Sequence, residues 1–166
     1  MLRYVAGQNM AHALETGKHL IMQNKIPILN YILENEGGAQ HVFLEYAKMA
    51  DEIPANFKVA LKLSSLEFDR SLATKLLNKF AERDIPVMID AESSEQNEAY
   101  QQLSNGLLQD FNRDKVRVYK TYQMYRKDSG TTLKRDFDIH GSKLGVKLVR
   151  GAYWNSEKDM GELHTT

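Results

Sequence analysis

Cysteine is absent from all 166 residues, which removes disulfides, thiolate nucleophiles and cysteine-ligated zinc or iron–sulfur sites. Net charge is absent too. Lysine plus arginine number 22 and aspartate plus glutamate 22, so the chain as a whole offers no field to gather nucleic acid or an anionic membrane surface, and no nucleic-acid partner is expected. No apolar run approaches the roughly 20 residues that span a bilayer, so no transmembrane segment is expected. Met1 to Gly7 lacks the charged, apolar and small-residue series of a signal peptide, and no transit-peptide pattern replaces it. His12, His19, His41, His140 and His164 have no ligand spacing, and no metal site is expected. GxGxxG, Walker and Gly-x-Ser-x-Gly sequences are also missing, which argues against Rossmann-type nucleotide binding, P-loop chemistry and an esterase elbow. What remains, 42% hydrophobic and 27% charged, is the composition of an ordinary globular domain, taken as a single unit over 1–166.

Short apolar runs rich in β-branched residues recur along the chain: Leu2–Ala6, Pro27–Leu33, Lys58–Leu63, Pro86–Ile89, Val116–Thr121 and Gly145–Val149. Segments of helical period separate them. Met10, Ala13, Leu14, Leu20 and Ile21 share one face, and Asn9 stands where it can cap that helix. Further helices are expected over Val42–Met49 after the turn residues Gly37 and Gly38, over Leu72–Phe80, over Tyr100–Leu108 and, more weakly, over Thr131–His140. Strand centres lie about 28 to 31 residues apart, the size of one parallel strand with its crossover helix. Such a repeat builds either an open doubly wound sheet or a closed barrel. Polar residues favour the barrel. Glu34, Lys62, Asp90, Lys120 and Arg150 each stand at or just past the end of an apolar run, as they would around one barrel mouth, whereas an open sheet concentrates function at one switch point. Eight such units need roughly 240 residues and only six strands fit, so the expected fold is an incomplete (β/α)8 TIM-type barrel or a smaller α/β sheet.

Lys62 is out of character within the strand Ala60–Leu63, because a buried ammonium needs a counter-charge or must lose its proton. It is either a lysine snorkelling to solvent or a functional cation. Asp90 shares its inward parity on the next strand, about 4.8 Å away, and could hold Lys62 charged and aimed. Lys147, Leu148, Val149, Arg150, Gly151, Ala152, Tyr153 and Trp154 combine two cations, two small residues and two aromatics. That set suits a flat ligand with a phosphate tail, or else a strand and turn whose rings cap the core. Tyr119, Tyr122, Gln123, Met124 and Tyr125 form an aromatic cluster that reads mostly as packing.

KLVRGAYWNSE, Lys147 to Glu157, resembles the sixth-strand signature of the proline dehydrogenase family. RYVAG from Arg3, ILE from Ile32, ALKLSS from Ala60, MIDAE from Met88 and YKTYQMYRKD from Tyr119 are similar to its first five strands, in order. The resemblance implies a distorted barrel that holds FAD at its mouth. It implies oxidation of L-proline to Δ1-pyrroline-5-carboxylate by hydride transfer to the flavin, with electrons passing to a quinone or another acceptor. By matching position, Lys62 and Asp90 would lie by substrate and flavin, and Tyr153 against the proline ring. Lys120, Lys147, Val149, Gly151, Ala152 and Trp154 would line FAD, with Tyr122 beside them and Lys120 as the positive group near the flavin pyrimidine. The implied compartment is cytoplasmic or mitochondrial. The family's paired arginines after strand eight and its histidine and asparagine on strand seven have no counterpart here, so this chain alone is expected not to turn over proline. Two other readings stay open: a small α/β lyase forming a Schiff base at Lys62, and a non-catalytic remnant or interaction module.

Overall fold

Strands and helices alternate along the chain, and each strand runs parallel to the one before it. The computed structural model describes residues 6–7, 9–31 and 38–164. The expected strand Leu2–Ala6, save for Ala6, and the strand-tip acid Glu34 lie outside the described residues. The described strands are β1 (Ile28–Asn30), β2 (Lys58–Lys62), β3 (Val87–Asp90), β4 (Val118–Gln123) and β5 (Gly145–Val149). They form one sheet in the order β1-β2-β3-β4-β5 with every neighbouring pair parallel. A doubly wound sheet reverses its order at a switch point, whereas unbroken order is what successive crossovers along the arc of a barrel produce. The barrel is therefore the reading that holds, as a five-stranded arc with β1 and β5 at its edges among the described residues.

Helix α1 (Met10–Met22) precedes β1; α2 (Gly38–Glu52), α3 (Arg70–Glu82), α4 (Asn97–Phe111) and α5 (Ser129–His140) connect the strands, and a single turn, α6 (Trp154–Glu157), follows β5. Asn9 caps α1 as expected, its side chain accepting from the His12 amide at 3.0 Å. Asp69 does the same for α3 through Leu72. Ala73, Leu76, Leu77 and Phe80 fall at helical spacing along α3 and are all buried. They pack in one core with Val59, Leu61, Val87, Ile89 and Val118, which lie on a single face of the sheet. Removing each such large side chain from water contributes about 1.5–3 kcal/mol, so this face is where the arc is held together. Lys58, Lys62, Met88, Asp90 and Tyr119 point to the other, concave face, away from the helices.

One boundary differs from expectation in a way that matters. The fifth apolar run was expected to be a strand over Val116–Thr121, but β4 starts and ends two residues later. The Asn112 side chain explains the late start. It accepts from the amides of Arg117 and Val118, and donates to the carbonyls of Val118 and Lys143, holding the chain in a loop until Val118.

Candidate active site

Register assembles a row of polar side chains across the concave face. Lys62 is the partner of Asp90, and Thr121 is the partner of Lys147; Asp90 and Thr121 each follow the paired residues Ile89 and Lys120. Lys62, Asp90, Thr121 and Lys147 thus lie side by side at the C-terminal ends of four neighbouring strands, the position at which barrel enzymes carry their chemistry. The anticipated Lys62–Asp90 ion pair is not the one that forms. Lys147 reaches across β4 to Asp90, with Nζ 2.5 Å from Oδ1, while the Lys62 ammonium donates to the Tyr153 hydroxyl at 3.3 Å and lies 5.7 Å from the centre of that ring. Thr121, between Asp90 and Lys147, is buried, and its Oγ1 has no hydrogen-bond partner.

Electrostatics keep Lys62 charged. Burial pulls its ammonium down, but the Tyr153 hydrogen bond and the surrounding Tyr153, Glu92 and Asp90 oxygens outweigh burial, and its pKa ends above the ordinary lysine value. Glu92 is itself buried, its carboxylate accepting from the Ser64 amide at 3.0 Å. That contact secures the loop after Lys62, where Glu67 and Phe68 both adopt left-handed backbone with φ of 53° and 55°. Consecutive left-handed non-glycine residues are costly and persist only where surrounding contacts enforce them.

Tyr153 arrives on the turn after β5. That turn is cast around residues at the end of β4. Gly151 has φ of 142°, and a Cβ built on it would lie 1.0 Å from Cε1 of Tyr125, so the tyrosine ring occupies the space that glycine leaves. The Gln123 carbonyl oxygen accepts from the Ala152 amide at 3.1 Å, and the Tyr125 hydroxyl donates to Glu157 at 2.5 Å. Burial and the Glu157 hydrogen bond push the Tyr125 phenol up to about 12, so it remains a donor through the neutral range. Glu157 is 1% exposed and also accepts from the Ser94 amide at 2.6 Å. Arg126 bonds Ser94 and pairs with Asp128 and Glu162, tying the β3, β4 and β5 loops to one another. Trp154 stands at the edge of this cluster, its ring 6.3 Å from that of Tyr125 and 42% exposed.

Two residues expected at the mouth are elsewhere. Lys120 and Tyr122 have the opposite parity, in rows with the core residues Leu61 and Ile89, and face the helices. Lys120 is fully buried. Its ammonium bonds Gln101 at 2.5 Å, Asn105 at 2.7 Å and Asp136 at 2.5 Å, and Tyr122 donates to the same Asp136 oxygen at 3.0 Å. Burial pulls Lys120 down against the pull of Asp136, and it pushes the Tyr122 phenol up. Asp136 settles below the usual carboxylate range, because burial is outweighed by the hydrogen bond from Lys120 and by those of Tyr122 and Arg135. Placing Lys120 against a ligand at the mouth therefore fails, since the true end of β4 is Gln123 and Lys120 sits mid-strand. Thr121, Arg126 and Glu157 are site residues that the sequence reading did not single out, and Gln123, read there as part of a packing cluster, holds the turn that carries Tyr153. For Gln123 and Thr121 the missing signal was the strand boundary; for Arg126 and Glu157 the pairing is tertiary.

Arc topology and a paired row of charges at the strand tips define an α/β-barrel protein with an enzyme-like mouth. The chain belongs to the proline dehydrogenase family, whose model matches residues 10–165. It is 33% identical over 97 residues to proline dehydrogenase 1, mitochondrial, of Dictyostelium discoideum, a match covering 55% of this chain and 17% of that protein. It is 31% identical over 129 residues to hydroxyproline dehydrogenase of Rattus norvegicus, covering 70% of this chain and 28% of that one. Among solved structures, proline utilization A from Bdellovibrio bacteriovorus inactivated by N-propargylglycine superimposes with a TM-score of 0.81 at 16% identity, over 93% of this chain and 20% of that one. Proline utilization A from Bradyrhizobium japonicum, as a D779Y mutant, gives 0.67 at 22%, covering 91% and 18%. The chain thus spans under a third of the length of each of these relatives.

Proposed function

We propose that these residues supply part of the active site of an FAD-dependent oxidoreductase that oxidises L-proline to Δ1-pyrroline-5-carboxylate and passes electrons to a quinone or another acceptor. The carrying observation is the strand-tip row itself: Lys62 held by Tyr153 and Asp90 held by Lys147, on one face of neighbouring parallel strands. Proline presents a carboxylate and a secondary amine about a small apolar ring. The Lys62 ammonium suits the carboxylate, and the Tyr153 ring offers an apolar face to the methylene groups. Asp90 stands on the neighbouring strand to Lys62, where it can hold the amine end in place.

The residues fit a flavin in part. Lys147, beneath the mouth, and the exposed Arg150 bring positive charge, and Trp154 offers an accessible ring beside the small residue Ala152. Val149 has the same parity as Lys147 and completes that wall. Gly151 makes no room for a ligand, because Tyr125 fills the space over it, and Lys120 and Tyr122 face away. When bound, FAD supplies the acceptor for a hydride and its electron pair. This chain's own contribution is to orient the substrate through Lys62 and Tyr153, and to hold positive charge at Lys147 and Arg150 against negative charge that develops nearby.

A Schiff-base role for Lys62 needs its neutral amine, and the neighbours of Lys62 favour the ammonium. Of the two expected compartments, the mitochondrial one has the support of relatives so named, in Dictyostelium discoideum, Schizosaccharomyces pombe and Arabidopsis thaliana. Because these residues supply part of the site, the test of the activity is anaerobic titration with L-proline of an FAD-loaded protein that carries them within a complete barrel of the family. Bleaching of the flavin absorbance is expected, and Lys62→Met should slow it by about 100-fold, the scale of losing one substrate-positioning charge. A protein that binds flavin but shows no bleaching with proline removes this reading.

A further inference from the structure

Tyr125 read as packing from sequence, yet its ring and its hydroxyl both meet the turn carrying Tyr153. Its ring lies over the Gly151 α-carbon, in space that no other residue type at 151 would leave open. Its hydroxyl donates to Glu157 and accepts from the amide of Tyr153 itself at 3.4 Å. Its own backbone amide donates to the Arg150 carbonyl at 2.8 Å. Gln123, two residues earlier, holds the intervening Ala152 amide. Positions 150, 151, 152 and 153 are thus each fixed by Gln123 or Tyr125, and Glu157, itself locked by the Ser94 amide, holds the phenol oxygen in place.

We propose that Tyr125 is a positioning residue: by clamping the turn between Gly151 and Glu157 it aims the Tyr153 phenol at Lys62, and so sets the geometry of the substrate cation without touching substrate. The consequence for catalysis rests on the proline-oxidising reading; the clamp itself does not. Rigid support of this kind matters because misplacement of a contacting group by an ångström can cost about 100-fold in rate.

The experiment is a double-mutant comparison of Tyr125→Phe and Tyr153→Phe in the protein, read in two ways. The first is the titration of the Lys62 amine, followed by NMR of the isotopically labelled lysine without substrate. Tyr125→Phe keeps the ring over Gly151 and removes only the hydroxyl. It should lower the Lys62 pKa in the same direction as Tyr153→Phe, and the double variant should match Tyr153→Phe alone. The second is steady-state proline oxidation, where Tyr125→Phe should raise KM about tenfold with kcat changed less than about threefold, again without adding to Tyr153→Phe. An unchanged Lys62 titration in Tyr125→Phe, or shifts that add in the double variant, overturn the proposal. Should the wild-type protein leave proline unoxidised, the functional reading fails while the titration still decides the clamp. If Tyr125→Phe melts far below wild type, Glu157→Gln, which keeps the shape of the acceptor and removes its charge, serves in the same titration with the same two outcomes.

Discussion

Lys147 and Asp90 show how the order of strands in a sheet, and not nearness in sequence, chooses the partner of a charge. Both are about a quarter exposed, at 27% and 21%, so their attraction is only partly screened by water. Lys147→Met should leave Asp90 without its counter-charge, whereas Lys147→Arg keeps the charge. In the proposed activity, the first variant should lower kcat/KM by roughly 10- to 100-fold, equivalent to about 1.4–2.7 kcal/mol, and the second by far less; steady-state kinetics with proline measures both. Equal losses in the two would mean that side-chain shape, not charge, matters at 147. Lys62 and Asp90 were legible as a functional pair because charged residues inside apolar strand runs are conspicuous. Their true partners were not legible, because Lys147 and Tyr153 are 57 and 91 residues away in sequence and are brought close by sheet order alone.

At the scale of elements, α5 is attached to the sheet in an unusual way. Its apolar residues Phe137 and Ile139 are exposed, and its buried residues are polar: Ser129, which donates to the Gln123 carbonyl, and Asp136, which meets Lys120 and Tyr122. A buried ion pair contributes little net stability, but removing one partner leaves an uncompensated charge. Asp136→Asn should therefore destabilise by about 3–5 kcal/mol at neutral pH, and Lys120→Met added to it should recover part of that loss, since the stranded ammonium goes. The sign with pH follows from the lowered Asp136 value. Its stabilising contribution is present above the unfolded value of 3.8 and is lost as pH falls through the lower, folded one, so the stability gap between wild type and Asp136→Asn should only begin to close below about pH 4. Denaturant unfolding of the single and double variants across pH checks this. Periodicity identified α5 correctly but weakly, because an aspartate occupies a position where an apolar residue normally marks the buried stripe, and it ended β4 two residues early.

Viewed whole, the arc leaves its concave face and its β5 edge uncovered among the described residues. Leu148 at 58%, Phe137 at 58%, Ile139 at 61% and Val146 at 37% exposure lie on β5 and the helix preceding it, beside unpaired strand edge. Exposed apolar surface next to an open edge promotes association. The 166-residue chain produced alone should self-associate as concentration rises, and Leu148→Lys with Phe137→Glu should reduce that association; sedimentation velocity over a concentration series measures it. Unchanged sedimentation in the double variant would show that this surface is not what brings chains together.

Taken by itself, the sequence determined the class of fold and most of the chemistry. Apolar runs about 30 residues apart require parallel strands with crossover helices, because a parallel connection must cross back over the sheet, and a lysine and an aspartate in strand ends require a charged mouth or a counter-charge. Tertiary structure bore out the barrel that the strand-tip residues favoured, and it alone decided which cation met which carboxylate and which face of β4 looked toward the mouth. The physical reason is that side chains alternate across a strand with a period of two, so Lys120 and Tyr122 share the parity of the core residue Ile89 and face the helices wherever the strand is taken to end. Lys120 then changes from a strand-tip residue into the buried anchor of a helix.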